Sequence, residues 1–278
     1  MNKNLAPIGV FDSGYGGLTI LKEIIKTLPQ YDYLYLGDNA RNPYGSRSFD
    51  VVYAYTLQAV RKLFELGCPL VILACNTASA KALRSIQQND LPRIAPSRRV
   101  LGVIRPSVEE IPNLSKNGHI GVLATSGTVA SNSYPLEIEK INESSSFQVS
   151  QVACPMWVPI VENQEIETPG ADYFIQKYVH ELLEKDPLID TIILGCTHYP
   201  LLAHKIRKYI PESVRLIEQG PIVAEKLKDY LFRHPEIETM CSKNGNIDFL
   251  TTESIDSFEN NAGIFLEQQI KASKIILL

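Results

Sequence analysis

Two cysteines stand in like surroundings in distant parts of the chain. Cys75 closes the run Val71-Ile72-Leu73-Ala74 and precedes Asn76-Thr77, while Cys196 closes Ile192-Ile193-Leu194-Gly195 and precedes Thr197-His198. A single cysteine in such a place is most often a small buried apolar side chain. Two that each end a strand-like run and open a helix are placed for chemistry, because backbone N–H groups and the helix dipole there favour thiolate. If the two segments face each other, a thiolate and a thiol flank one bound molecule. That pair removes a proton from one face of a carbon and returns one to the other. Nucleophilic catalysis needs one cysteine and one base and leaves the second thiol idle. The pattern therefore points to racemisation or epimerisation beside a carboxylate, with Ser13, Thr77, Thr125, Thr128 and Thr197 available to stabilise developing charge. Asp12 ends the first strand and lies near Cys75 if strands one and three are neighbours, although an N-cap role fits it equally. His198, two residues past Cys196, is the corresponding assistant on the other side.

Other chemistries account for less of the pattern. Gly14-x-Gly16 with Asp38 imitates a dinucleotide fingerprint, but Thr19 stands where the third glycine belongs. Cys196 and His198 are two metal donors without a second pair. Lys81 invites a Schiff-base reading, yet it sits on ordinary amphipathic spacing and reads as a solvated helix residue.

The elements that must position these groups alternate. Strands are expected at residues 8–11, 33–36, 69–74, 100–104, 119–124, 147–152, 191–194, 214–217 and 247–251, with helices at 18–28, 51–66, 78–87, 171–183 and 201–209 and a loop at 41–48. Short apolar runs alternating with helices give an α/β fold with parallel sheets flanked by helices. Gly9 to Gly14 resembles Gly121 to Ser126 at an offset of 112 residues, and Val71 to Thr77 resembles Ile192 to His198 at an offset of 121. The chain therefore reads as two halves of similar design rather than a short-period repeat.

Composition narrows the function classes. The 278 residues are 45% hydrophobic and 21% charged, with 27 Lys and Arg against 31 Asp and Glu for a net charge of −4. No basic footprint for nucleic acid or an anionic membrane is visible. The longest apolar runs are strand length, so no transmembrane helix is expected, and the N-terminal run is too short for a secretory signal. With five cysteines and no C-x-x-C pair, the expectation is free thiols in a reducing, cytoplasmic compartment.

Four stretches in order carry a family resemblance. They are Gly9-Val10-Phe11-Asp12-Ser13-Gly14-x-Gly16-Gly17-Leu18, Pro43-Tyr44-Gly45, Ala74-Cys75-Asn76-Thr77-Ala78-Ser79 and Leu194-Gly195-Cys196-Thr197-His198-Tyr199-Pro200. The sequence resembles the glutamate racemases of the cofactor-independent aspartate/glutamate racemase superfamily. The resemblance implies interconversion of L- and D-glutamate for peptidoglycan, without pyridoxal phosphate, metal or nucleotide. It carries Cys75 and Cys196 over as acid/base thiols, the first acting on the D-isomer and the second on the L-isomer, assisted by Asp12 and His198. It further implies Asp12, Ser13, Pro43, Tyr44, Gly45, Asn76, Thr77, Thr197 and His198 as substrate contacts, and Glu162 as a carboxylate near the second thiol. The family fold is two pseudo-symmetric α/β domains with the active site in the cleft between them, here residues 1–98 with 211–278 and residues 99–210. Many members are homodimers, and some bacterial ones are activated by a cell-wall precursor. The segment Asp38-Asn39-Ala40-Arg41-Asn42 departs from the commoner Asp-Thr-Ala-Arg-aromatic, and Glu218-Gln219-Gly220 replaces the frequent Asp-Ser or Asp-x-Gly.

Overall fold

The computed structural model describes residues 5–141 and 147–277. Its strands form two sheets, and every pairing is parallel. The first sheet contains β1 (Ile8–Asp12), β2 (Tyr33–Gly37), β3 (Leu70–Leu73), β4 (Arg99–Gly102), β9 (Ile247–Thr251) and β10 (Ala272–Lys274), in the order β10-β9-β2-β1-β3-β4. The second contains β5 (His119–Ala124), β6 (Gln148–Ala153), β7 (Thr191–Gly195) and β8 (Arg215–Ile217), in the order β6-β5-β7-β8. Strands β1, β2, β3 and β7 are buried along their whole length and, apart from Asp12 and Thr191, apolar, as parallel strands covered on both faces require.

The two sheets share one plan. The order β2-β1-β3-β4 in the first is repeated as β6-β5-β7-β8 in the second. Gly9 pairs with Val71 and Phe11 with Leu73; Gly121 pairs with Ile192 and Leu123 with Leu194. These are the positions matched by the two internal resemblances, so the likeness extends to pairing register. Cys75 and Cys196 consequently emerge beyond the same end of equivalent strands, β3 and β7.

Four expectations are corrected. The strand expected at 100–104 in the second half is β4, which pairs with β3 in the first sheet and ends before the helix Ile104–Glu109. The chain thus passes to the second sheet after residue 102 and returns after β8 at residue 217. The helix expected at 78–87 is interrupted at Ala82, where φ is −117°, after the short helix Asn76–Lys81. The segment expected as a helix at 201–209 is a 3₁₀ turn, Tyr199–Leu202, followed by the short helix Ala203–Ile206. Lys81 is not solvated: it is buried and its Nζ donates to the Arg47 carbonyl at 2.6 Å. Burial also pulls its pKa below the usual lysine range.

Candidate active site

A cavity of about 280 Å³ opens where the C-terminal ends of both sheets meet. Ser13, Pro43, Tyr44, Gly45, Cys75, Asn76 and Thr77 line it from the first half, and Thr125, Glu162, Cys196, Thr197 and His198 from the second. Both thiols therefore face one space. A larger depression of about 930 Å³ runs past Lys81, Arg84, Arg105 and Lys226, but neither thiol borders it.

Cys75 is itself the N-cap of the helix Asn76–Lys81. Its Sγ accepts the Ala78 N–H at 3.4 Å and lies 3.4 Å from Ser13 Oγ. Those donors favour thiolate, as the sequence suggested, yet burial outweighs them. Together with the nearby Asp12 charge it pushes the Cys75 thiol up to about 12, so this group is a protonated acid in the unliganded protein.

Cys196 is held differently. The segment after it is a turn leading into the 3₁₀ element Tyr199–Leu202, so the helix start expected there is absent. Its partner is His198, whose Nδ1 lies 3.8 Å from Sγ and whose Nε2 lies 2.9 Å from Glu162 Oε1. Burial alone lowers the imidazole pKa, but its hydrogen bonds and charge interactions with Cys196 and Glu162 reverse this and raise it to about 10. His198 is thus an imidazolium placed between Cys196 Sγ and the Glu162 carboxylate.

Packing explains why Glu162 arrives there. Trp157, fully buried, opens the helix Trp157–Glu162 and meets Tyr199 edge-on at 4.7 Å. The Tyr199 hydroxyl donates to the Cys154 carbonyl at 3.1 Å, tying the helix entry to the turn that carries His198. Truncating such a buried indole costs about 3–5 kcal/mol.

The remaining expected residues divide into those that face the cavity and those that support it. Tyr44 reaches it, but its hydroxyl donates to Asp38, which also pairs with Arg41 Nε at 2.7 Å and accepts from Thr252 at 2.9 Å. Asp38, weighed above as a dinucleotide mark, is therefore the anchor of the loop carrying Pro43-Tyr44-Gly45. Gly45 accepts the Gly127 N–H from the other half at 2.7 Å. Thr77 and Thr125 hydroxyls meet across the halves at 3.0 Å. Thr128, expected as a contact, is fully buried behind that pair and does not line the cavity.

Asp12 likewise lies behind the lining. It is 1% exposed, accepts the Gly14 N–H at 3.2 Å through Oδ2, and leaves Oδ1 without a protein partner. Burial, opposed chiefly by the His198 charge, raises its carboxyl to about 6.

Asn42 was missed as a site residue, although it falls in the segment that departs from the family pattern. Its amide crosses to Glu162 at 3.0 and 3.2 Å. Cys154 was missed too; it follows β6 as the other two thiols follow their strands, and it lines the same cavity. Position at a strand end was the signal available for it.

Fold and site together define an α/β protein in which two like parallel sheets border one cavity lined by thiols. Residues 8–227 match the Asp/Glu/Hydantoin racemase family. A glutamate racemase of Roseobacter denitrificans is 38% identical over 276 residues, covering 96% of this chain and 98% of the relative. One from Persephonella marina is 41% identical over 222 residues, 80% and 81% of the two chains. Among solved structures, a glutamate racemase isoform from Bacillus anthracis superposes with a TM-score of 0.88 at 36% identity, covering 99% of this chain and 98% of that one. A Francisella tularensis glutamate racemase in complex with D-glutamate gives 0.85 at 32%, with the same coverage. The chain belongs to the Asp/Glu/Hydantoin racemase family and is an isomerase.

Proposed function

We propose that this chain racemises glutamate without a cofactor, using Cys196 and Cys75 as base and acid on opposite faces of the α-carbon. The observation that carries the reading is the shared cavity: two thiols, at equivalent positions of two like sheets, border one small space. L-Glutamate loses its α-proton to the Cys196 thiolate, while Cys75 delivers its thiol proton to the other face. The product is D-glutamate, with Cys196 now a thiol and Cys75 a thiolate, and the reverse reaction or exchange with water restores the starting state. The backbone N–H groups opening the helix Asn76–Lys81, with the Ser13, Thr77 and Thr125 hydroxyls, are suited to the carboxylates and to charge developing in the transition state.

Protonation in the unliganded protein supports Cys75 as the proton donor in the L-to-D direction. Cys75 holds its proton and His198 is charged beside Cys196. The matching relatives are named glutamate racemases, which supports glutamate as substrate, and with it supply of D-glutamate for peptidoglycan in the cytoplasm. Among the described residues, no helix is long and apolar enough to cross a membrane.

The test is proton NMR in D₂O of protein treated with chelator and freed of small molecules, with L-glutamate as substrate and optical rotation followed alongside. Loss of both the α-proton signal and the rotation is expected, with Cys75→Ser and Cys196→Ser each about 10²- to 10⁴-fold slower. Turnover of L-aspartate but not L-glutamate would replace the substrate. Turnover retained in either serine variant would defeat the two-thiol assignment.

A further inference from the structure

We propose that Gln219 is a positioning residue for this reaction: it fastens both crossings between the sheets to the residue that follows Cys75. The inference rests on the racemase reading above for its kinetics, but not for its geometry.

Gln219 begins the helix Gln219–Arg233, on the segment that returns from β8 to the first sheet. Its side chain is turned inward and is 2% exposed. Its Nε2 donates to Ser107 Oγ at 2.8 Å and lies 3.0 Å from the Val103 carbonyl, both on the outgoing segment that follows β4. The same nitrogen donates its other hydrogen to the Tyr134 hydroxyl at 3.0 Å, in the helix Ser133–Ile141 of the second half. The Tyr134 hydroxyl donates onward to Asn76 Oδ1 at 2.8 Å, and Asn76 Nδ2 donates back to Gln219 Oε1 at 2.7 Å. Gln219, Tyr134 and Asn76 thus close a ring of hydrogen bonds, all buried.

This ring has two consequences. Both ends of the Asn76 side chain are bonded within the protein, which fixes its orientation in the cavity wall. In addition, the helix start that Cys75 caps is bonded to the outgoing crossing, the returning crossing and the second half through one amide. A satisfied polar network in a water-free interior is rigid and has few alternative arrangements. The separation of the two thiols depends on how the halves sit on each other, and proton transfer is sensitive to displacements of an ångström or less. No apolar side chain at position 219 could make these bonds, since they need an acceptor and donors on one planar group.

The test compares Gln219→Leu, Gln219→Glu and Tyr134→Phe with the unaltered protein, well below the melting temperature. Two readouts are taken: kcat and KM for glutamate in both directions, and the rates at which iodoacetamide modifies Cys75 and Cys196, followed by peptide mass spectrometry. For Gln219→Leu the expected result is a fall in kcat of about 10- to 100-fold with KM little changed. Tyr134→Phe should lose part of the same rate, and combining it with Gln219→Leu should cost less than the product of the two losses. Modification of Cys75 should accelerate several-fold. A lowered melting temperature with kcat and modification rates intact would reduce Gln219 to a structural role. A raised KM at unchanged kcat would make it a binding determinant instead, and either result overturns the proposal. Should Gln219→Leu fail to fold, Gln219→Glu and Tyr134→Phe decide alone: lowered kcat in both supports the role, and full kcat in both overturns it. If the unaltered protein does not turn over glutamate, the proposed reaction has failed, and the modification rates still decide the positioning role.

Discussion

The amide of Asn42 donates to both carboxylate oxygens of Glu162, at 3.0 and 3.2 Å, although the two residues belong to different halves of the chain. Glu162 in turn holds His198, and His198 faces Cys196. A residue of the first half therefore fixes the orientation of the Glu162–His198 pair beside the thiol of the second. Asn42→Ala should lower kcat roughly five- to tenfold, corresponding to about 1–1.5 kcal/mol for one hydrogen bond to a charged group at a partly exposed site. The melting temperature should change little. Steady-state kinetics in both directions check this, and an unchanged kcat would remove Asn42 from the machinery.

The pH dependence follows from two shifted groups. The Asp12 carboxyl is raised to about 6 by burial, and the His198 imidazolium is kept to about 10 by Cys196 and Glu162 against the opposing effect of burial. With Asp12 needed as anion and His198 as cation, kcat/KM should rise through about pH 6 and fall as pH approaches 10. The groups are close, so each limb belongs to the coupled set rather than to one residue. Asp12→Asn should abolish the lower limb. A kcat/KM that climbs without limit into alkaline solution would contradict the assignment.

Much of this arrangement was legible in the residues. The apolar runs ending at Asp12, Cys75, Ala124 and Cys196 located four strand ends, because parallel buried strands need continuous apolar stretches. The internal match of Gly9 to Gly121 and Val71 to Ile192 anticipated even the pairing register. What failed had local causes. The run at residues 100–104 resembles the start of a new half, yet β4 pairs with β3, and nothing in its pattern states which neighbour a strand will choose. Lys81 lay on amphipathic spacing but was captured by the Arg47 carbonyl, a contact made by a loop distant in sequence. Cys75 was expected to ionise readily from its place at a helix start; desolvation, a property of the assembled fold, outweighed the cap. Asn42 and Gln219 gave no chemical signal because amides read as ordinary polar residues until their partners are known.

Asp12 also sets a trade between stability and activity. Its folded-state pKa, about 6, lies above the ordinary value of 3.8, so the folded protein holds this proton more tightly than the unfolded chain does. The favourable contribution is complete below about pH 4 and is lost as pH rises through 6. At pH 8 the fold therefore carries a buried charge that His198 only partly compensates, with Oδ1 lacking a hydrogen-bond partner. Asp12→Asn should raise stability at pH 8 by about 1–3 kcal/mol, the span set by a shift of roughly two pKa units less the cost of an imperfectly bonded amide. The gain should shrink to nothing near pH 4, while racemisation falls at every pH. Denaturant unfolding of both proteins across this range tests the sign, and a gain that grows toward acid pH would refute it.

Gly16 marks how closely the halves approach. A Cβ at this position would collide with Thr197 Oγ1 and His198 Nδ1, far inside any tolerable contact. The requirement is one of space, since the backbone of Gly16 has the ordinary right-handed conformation, with φ at −56° and ψ at −37°. One residue group further on, the Thr19 hydroxyl reaches the Thr197 carbonyl at 2.9 Å and tacks the first half to the Cys196 turn. Gly16→Ala must displace the His198 ring, the Thr197 side chain or the whole turn. Any of these moves the imidazolium away from Cys196 and alters the spacing of the two thiols. The expected loss in kcat is on the order of 100-fold, the scale associated with a misplacement of about 1 Å at reacting groups. The same substitution should weaken the pH 10 limb, because that limb depends on the contact of His198 with Cys196 and Glu162. Alanine at residue 16 with unaltered kcat and an unaltered profile would mean that the halves do not close on each other as tightly as these distances require.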